Sequence, residues 1–206
     1  SVVKEQGVAP LKHARKLADL LNVPIMVHIG NPPPNLQEVF PLLKKGDIVT
    51  HAFHGKKHGI LKSDQTMIPE ALEALERGVL FDVGHGSSSF SYETFKKFKK
   101  KYNTPFTIST DIYKENYNKP VGSLMITMSK FLNFGYSLED VVKSVTIRAA
   151  QAIGLTEQGT LRNGTRADLT IFQVIKEPTE MTDSEGNVMV GEKVLHPKMT
   201  IREGRV

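Results

Sequence analysis

The chain has 206 residues, which is long enough for one domain or one and a part. Hydrophobic residues make up 39% of it, and its formal net charge is +5. It contains no cysteine, which excludes disulfides and thiolate metal sites, so a transition metal would need histidine and carboxylate ligands. No segment approaches the roughly 20 apolar residues of a membrane span, and the N-terminus lacks a signal-peptide pattern. These features favour a cytoplasmic protein without a membrane partner.

Helical patterns alternate with short apolar runs along the first part of the chain. The 3–4 spacing of leucine and alanine predicts an amphipathic helix over residues 8–21. Asn35 is expected to cap a second helix that reaches Lys45, and Pro69 is expected to open a third at its first position. Later helices are predicted over about 91–102, 121–134 and 138–153.

Four apolar runs between these helices each end in a histidine or an aspartate: Ile25–His28, Ile48–His51, Leu80–His85 and Phe106–Asp111. This alternation is typical of parallel strands joined by helices, and in a (β/α)8 barrel the strand ends carry the chemistry. The predicted fold class is α/β, a TIM-type barrel within residues 1–156. Because a half barrel leaves two sheet edges open, we expect this chain to be the C-terminal part of a longer polypeptide.

The pattern changes near Thr156. Residues 157–206 show no helical period, and short strands are predicted at 160–161, 168–174, 188–190 and 199–202. A hairpin connection is expected over 183–187. This segment is therefore predicted to be a separate, small β module.

The densest positive patch is the run Lys96–Lys101. Phe95, immediately before the run, and Phe98 within it lie three residues apart. Such a run is compatible with polyanion binding. The same spacing is also typical of an amphipathic helix whose aromatic side chains pack on a sheet while its lysines face water. We favour the packing interpretation and expect no nucleic-acid partner.

His28 and His51 end neighbouring runs in equivalent positions. A single buried histidine is most often a hydrogen-bonded core residue. Two imidazoles on adjacent strand ends, however, can reach one metal ion, and neutral imidazole is the commonest ligand of this kind. We therefore predict both as metal ligands. His54 and His58 follow in a Gly/Lys-rich loop and are expected to be solvated or near the substrate.

Asp111 and His85 end the other two runs. From the residues alone, Asp111 is compatible with a metal ligand, a general base or a turn cap. His85 lies between two glycines, which allow close approach. It could be a third metal ligand or a substrate contact, and we predict that it contacts the substrate. Asp82 is expected to orient a neighbour. The chain has no Gly-x-Ser-x-Gly elbow, P-loop or dinucleotide fingerprint, which disfavours those enzyme classes.

These stretches resemble the amidohydrolase superfamily of metalloenzymes, in its dihydroorotase-like amidohydrolase/deacetylase branch. The resembling segments are PIMVHIGNPPP, DIVTHAFHG, LFDVGHGSSSF and FTISTDIY. The tail IGLTEQGTLRNGTRADLTIF is similar to the point where such enzymes leave the barrel for a β-sandwich. The resemblance implies that residues 1–156 are the C-terminal half of the barrel, strands five to eight with their helices. Residues 157–206 would then be part of a small β-sandwich.

The resemblance also implies a ligand set. His28 and His51 would bind the more exposed metal, and Asp111 would bind the more buried one and act as the general base. Zinc is the expected metal, with two ions per complete active site bridged by a carboxylated lysine. That lysine and a His-x-His pair belong to the N-terminal half of such enzymes. Neither is found in this chain, so the chain alone is expected to be inactive.

The predicted function of the complete protein is metal-dependent hydrolysis of an amide, cyclic amide or ester bond of a small molecule. The enzymatic alternative is a purine-type deaminase such as adenine deaminase, although no Asp-Asp pair follows the fourth run. A non-catalytic barrel that only binds ligands is the alternative from another class. A small-molecule substrate is the expected partner, and assembly into a homo-oligomer is left open.

Overall fold

The structure, a computed structural model, describes residues 3–206. Contacts between Cα atoms divide this part of the chain into two compact units. The first unit extends to Gly84 and also includes Ser88–Thr107, and the second consists of His85–Ser87 and Ile108–Val206. Within residues 3–206, no helix combines the length and the apolar character that crossing a bilayer requires.

The first unit contains a four-stranded parallel sheet in the order β1-β2-β3-β4. Its strands are short and lie inside the four predicted runs: β1 Met26–His28, β2 Ile48–Thr50, β3 Leu80–Asp82 and β4 Phe106–Thr107. The register pairs Met26 with Ile48 and Phe81 with Phe106. The α/β class with parallel strands in chain order is therefore confirmed, while the assignment to particular barrel strands stays a prediction.

Four helices of the first unit precede or connect these strands: α1 Ala9–Leu21, α2 Leu36–Val39, α3 Pro69–Arg77 and α4 Tyr92–Lys101. The prediction that the second helix reaches Lys45 is wrong. After one turn of α2 the chain continues as a 3₁₀ turn over Phe40–Leu42, because Pro41 has no N–H to donate to an α-helical hydrogen bond. Helix α3 begins at Pro69 as predicted, and Gly78 ends it with a φ of 93°.

Helix α4 carries the lysine run and buries its aromatic face. Phe95 and Phe98 are fully buried. The ring centroids of Phe53 and Phe98 are 4.8 Å apart, and those of Phe95 and Phe106 are 5.5 Å apart. These edge-on and tilted pairs form the apolar core between α4 and the sheet. The packing interpretation of the lysine run is confirmed.

A buried carboxylate links three of the four strands. Asp82 ends β3 and is 1% exposed. Its Oδ2 accepts a hydrogen bond from Thr50 Oγ1 at 2.6 Å, and its Oδ1 accepts one from Thr107 Oγ1 at 2.7 Å. The neighbour that Asp82 orients is thus Thr50, the residue immediately before His51.

The second unit combines three helices with a long hairpin: α5 Leu124–Asn133, α6 Leu138–Val145, α7 Ile147–Ala152, β5 Leu169–Thr182 and β6 Val188–Ile201. The helix predicted over 138–153 is interrupted at Thr146, where φ is −120° and ψ is −101°. The strand predicted at 160–161 is wrong, since those residues lie in an irregular segment. The other predicted short strands are parts of two 14-residue strands, joined over 183–187 as expected.

The hairpin ladder is irregular in two places. Register shifts occur between Ile171 and Phe172 and between Lys176 and Thr179, with Pro178 inside the second shift. Pro197 lies opposite Phe172 on the other strand. Neither proline has an N–H for the ladder, so each strand has a gap in its row of donors. Two expectations stay predictions: that this antiparallel pair belongs to a β-sandwich, and that a domain boundary lies at 156/157.

Polar side chains of α5 hold β6 by its backbone. Leu195 N–H donates to Ser129 Oγ at 2.9 Å. Asn133 Oδ1 accepts from Glu192 N–H at 2.8 Å, and Asn133 Nδ2 donates to Lys193 O at 2.7 Å. Backbone groups of the strand are thereby satisfied by a helix rather than by another strand.

Candidate active site

The first unit brings together the two histidines that we predicted as metal ligands. His28 ends β1 and pairs in register with Thr50, so His51 follows at the end of the neighbouring strand. Their ring centroids are 4.1 Å apart, with an interplanar angle of 77°. His28 is exposed, whereas His51 is 3% exposed. The expected adjacency is present, and metal ligation by the pair stays a prediction.

The backbone of the next strand fixes the ring of His51. Its Nδ1 hydrogen-bonds to the carbonyl oxygen of Gly84. Because a carbonyl only accepts, Nδ1 carries the proton, and the neutral ring then has its lone pair on Nε2. A hydrogen bond from one ring nitrogen to a backbone carbonyl is the usual way in which proteins orient a metal-ligating histidine.

Close approach at this point requires glycine. A Cβ atom at Gly84 would lie 2.2 Å from Thr50 Oγ1 and 2.7 Å from His51 Nδ1, and Gly84 has a φ of +47°. His51 itself has a left-handed φ of +62°, a conformation that costs free energy in a non-glycine residue and is concentrated at functional sites. The packing around His51 therefore maintains a backbone conformation that the sequence does not favour locally.

The imidazoles of His28 and His51 fit part of a zinc-type site. Two imidazoles at one place are suitable ligands, since structural and catalytic zinc sites use three or four protein ligands that include histidine. Within residues 3–206, no group of three or more histidine, aspartate and glutamate side chains is placed to hold a metal ion.

A cavity of about 710 Å³ lies beside His28 in the first unit. Its walls are mainly apolar, and its polar lining includes Asn31 and Lys56, one from each of the loops that follow β1 and β2. A Cβ at Gly30 would lie 3.7 Å from Lys56 Nζ and 4.0 Å from His28 Nε2, so both groups face the same region. The size and lining suit a small molecule.

His54 is buried rather than solvated, which corrects one of the two expectations for this residue. It is 2% exposed, and its Nδ1 accepts a hydrogen bond from Lys56 N–H at 3.2 Å. Burial, followed by the positive charge of Lys56, lowers the pKa of His54 to about 4, so the ring is neutral at neutral pH. Among the described residues its Nε2 has no hydrogen-bond partner.

In the second unit, His85 is fully buried and both of its ring nitrogens are used. Nδ1 donates to the carbonyl of Gly86 at 3.0 Å, and Nε2 lies 2.6 Å from Nζ of Lys130 in α5. Burial and then the charge of Lys130 lower the pKa of His85 to about 3. A substrate contact by His85 Nε2 stays a prediction and would require Lys130 to give up this hydrogen bond.

Sequence reasoning missed Lys130. It is 0% exposed and also donates to the carbonyls of Pro120 and Thr182, each at 2.8 Å. Burial lowers its pKa to about 7, and the nearby carboxylate of Asp183 opposes that effect. The signal in the sequence was a single lysine on the apolar helix LMITMSKFLN. Such a lysine needs several acceptors when it is buried.

Asp111 is exposed at the end of the fourth run, in the second unit. Its φ is +47°, again a left-handed value. Buried Asn116, also missed by sequence reasoning, donates from Nδ2 to the Asp111 carbonyl at 2.9 Å and accepts from Tyr113 N–H at 2.8 Å. The segment around Asp111 is thus held by side-chain hydrogen bonds, while the role of its carboxylate stays a prediction.

Comparison with known proteins agrees with the resemblance seen in the sequence. A family model described as a deacetylase-like composite domain matches residues 161–206. A deacetylase from Enterococcus faecalis is 38% identical over 209 residues, which cover 100% of this chain and 57% of that protein. Over its whole length the chain is therefore similar to the deacetylase-like branch of the amidohydrolase superfamily.

Two solved structures are similar to this chain over nearly its whole length. One is described as an adenine deaminase, with 38% identity, a TM-score of 0.93 and coverage of 98% of this chain and 55% of that one. The other is described as a dihydroorotase, with 36% identity, a TM-score of 0.86 and coverage of 97% and 54%. The chain therefore spans just over half the length of the relatives it matches. Their three names describe three reactions, so the names leave the reaction open.

Proposed function

We propose that the protein containing this chain is a metal-dependent hydrolase that cleaves an amide, cyclic amide or ester bond of a small molecule. The observation that carries the proposal is the His28–His51 pair, with ring centroids 4.1 Å apart and the Nδ1 of His51 held by a backbone carbonyl. Paired imidazoles on neighbouring strand ends suit zinc. Similarity to deacetylases and to a dihydroorotase supports the hydrolytic class.

In this proposal His28 and His51 would hold one zinc ion and Asp111 would hold a second. Divalent ions supply Lewis-acid polarisation of a carbonyl and make water acidic enough to be a nucleophile near neutral pH. Asp111 takes a proton from the attacking water and delivers it to the leaving nitrogen or oxygen. The cavity beside His28, with Asn31 and Lys56 in its wall, receives the substrate, and His85 contacts the substrate if Lys130 releases it. The remaining metal ligands, among them a carboxylated lysine, would be supplied by residues outside this chain.

Purine deamination is the second candidate, favoured by the TM-score of 0.93 to a structure described as an adenine deaminase. The same acid–base role of Asp111 would then release ammonia from a ring carbon. Ammonia from adenine, measured against acid release from N-acyl, cyclic-imide and ester compounds, separates the two reactions.

Metal content per chain, measured by elemental analysis on the natural protein purified without chelators, tests the proposal first. About two zinc-like ions per chain support the binuclear hydrolase and justify the substrate screen. One ion would favour the deaminase. No metal would contradict both, and would favour a barrel that binds ligands without catalysis.

A further inference from the structure

The strongest feature outside the proposed metal site is the buried pair of Lys130 and His85. Four hydrogen bonds surround it: His85 Nδ1 to Gly86 O, His85 Nε2 to Lys130 Nζ, and Lys130 Nζ to the carbonyls of Pro120 and Thr182. Neither side chain is exposed to solvent. A buried cation that is hydrogen-bonded this completely has a defined orientation.

Counting protons fixes the charge of the pair. Carbonyl oxygens only accept, so three of the four contacts each need a proton from the pair, and the Nε2–Nζ contact needs one more. Four N–H protons correspond to a net charge of +1, the state of the pair below the lowered pKa of Lys130, about 7. Because the pKa of His85 is lowered to about 3, the extra proton belongs to Lys130. His85 is then neutral, with its proton on Nδ1.

The same loop holds the segment that carries Asp111. His85 N–H donates to Ser109 O at 3.1 Å, and Gly86 N–H donates to Thr110 O at 2.9 Å. Thr110 immediately precedes Asp111. The turn of the hairpin supports the loop from the other side, since Ser184 Oγ lies 2.9 Å from the carbonyl of Gly86 and 3.1 Å from that of His85.

We propose that Lys130 is a positioning residue for Asp111: by holding the His85 ring, it fixes the His85–Gly86 backbone to which Ser109 and Thr110 are hydrogen-bonded. This inference rests on the proposed function for the part that Asp111 plays in catalysis. Lys130 does not touch the reacting atoms. Its effect reaches Asp111 through three consecutive hydrogen-bonded groups of the second unit, the ammonium, the imidazole and the Gly86 peptide.

The direct test is NMR of the natural protein and its Lys130→Met and Lys130→Gln variants, with ¹⁵N-labelled histidine and amide hydrogen exchange. The unsubstituted protein should show His85 with its proton on Nδ1. In Lys130→Met the ring should average between tautomers, and exchange at Gly86 N–H should accelerate at least about tenfold, since its hydrogen bond to Thr110 O opens more often. Lys130→Gln keeps two hydrogen-bond donors, so its Gly86 exchange rate should lie between those of the unsubstituted protein and Lys130→Met. Lys143→Met is the matched control, because Lys143 is half exposed and pairs with Glu139 on its own helix.

The kinetic test uses p-nitrophenyl acetate as the probe and zinc-loaded protein, with His51→Ala as the blank. Lys130→Met should lower kcat at least about tenfold with KM within twofold and zinc content unchanged, as expected when the positioned group acts in the transition state.

A proton on Nε2 of His85 in the unsubstituted protein would overturn the inference, and so would slow Gly86 exchange with unchanged kcat in Lys130→Met. If Lys130→Met does not fold, the Lys130→Gln variant and the unsubstituted spectrum decide. If the natural protein binds no zinc and hydrolyses no probe, the proposed function fails, and the tautomer and the exchange at Gly86 alone decide the positioning.

Discussion

His51 and His85 occupy the same kind of place in the chain and differ at one atom. Each follows a short parallel strand, is buried, and donates from Nδ1 to a glycine carbonyl, that of Gly84 or of Gly86. The ring of His51 lies against the exposed ring of His28, whereas Nε2 of His85 accepts from the ammonium of Lys130. A cation at Nε2 excludes a metal ion there. The residue opposite Nε2, rather than the strand-end position, therefore decides what each histidine can do.

The largest expected effect is the loss of metal from the His51 site alone. We predict that His51→Ala lowers bound zinc and hydrolytic kcat/KM by more than about 100-fold, since changing a residue that only contacts a metal ligand already costs about 10–100-fold. His85→Ala should retain its zinc while losing stability. Elemental analysis and kinetics on the natural protein measure both. Zinc loss in both variants, or in neither, would remove the distinction between the two histidines. Exposed His196, which pairs with Glu177 at 3.2 Å, supplies the control variant His196→Ala.

A substitution at Gly84 should displace the carbonyl that accepts from His51 Nδ1. A Cβ at position 84 would lie 2.2 Å from Thr50 Oγ1, so Gly84→Ala should lower the free energy of unfolding by about 3 kcal/mol or more through overpacking and a left-handed φ.

Gly186 is the matched control for this prediction. It has a φ of +84° and nothing within 4 Å of an added Cβ. Gly186→Ala should therefore cost only about 1 kcal/mol for the backbone conformation. Urea denaturation measures both losses, and equal losses would show that backbone conformation, not the contact with Thr50 and His51, determines the requirement at Gly84.

The Lys130–His85 pair predicts a pH dependence of stability. The pKa of Lys130 falls from 10.5 to about 7 on folding, so between these values the unfolded chain holds a proton that the folded chain has lost. The contribution of Lys130 to stability is therefore least favourable below pH 7 and improves as pH rises towards 10.5.

We expect the free energy of unfolding of the unsubstituted protein, relative to Lys130→Met, to rise by on the order of 2 kcal/mol between pH 7 and 9. Urea denaturation at a series of pH values measures it, with Lys143→Met as the control. A difference that is flat with pH would mean that Lys130 keeps its ordinary pKa.

The smallest expected effect concerns the hydroxyl that stands next to His51. Thr50→Val preserves shape but removes the donor to Asp82 Oδ2, which should cost about 1–2 kcal/mol because a buried carboxylate oxygen loses a partner. Thr66→Val, which removes an exposed hydroxyl bonded to Asp64, should cost about 0.5 kcal/mol or less. Thermal denaturation ranks the two, and a reversed order would show that the Asp82 link between strands contributes little.

The strand-end residues could be located from the sequence because the spacing of apolar residues, and the prolines and glycines that begin or end elements, are local signals. Apolar runs, Pro69 and Gly78 predicted the strands and α3 closely, and the equivalent positions of His28 and His51 predicted their adjacency. Asn116 and His54 bond to residues of their own loops, and they were missed because no apolar period marks a buried residue in a polar loop. Lys130 was missed because its partners lie in other parts of the chain. Lys130 bonds to Thr182, 52 residues away, and no local pattern records such a contact. The hairpin was underestimated because turn-forming residues inside β5 and β6 resemble strand ends.

The two prolines of the β5–β6 hairpin bear on how this protein behaves at high concentration. Ser129 and Asn133 of α5 cover part of the β6 backbone. An antiparallel pair presents further backbone donors and acceptors along its edges, and Val188 and Val190 are 58% and 62% exposed. Long apolar edges of this kind invite strand addition and fibre growth. Pro178 and Pro197 each leave their strand one N–H short, and a proline of this kind makes a strand a poorer template for the addition of another chain.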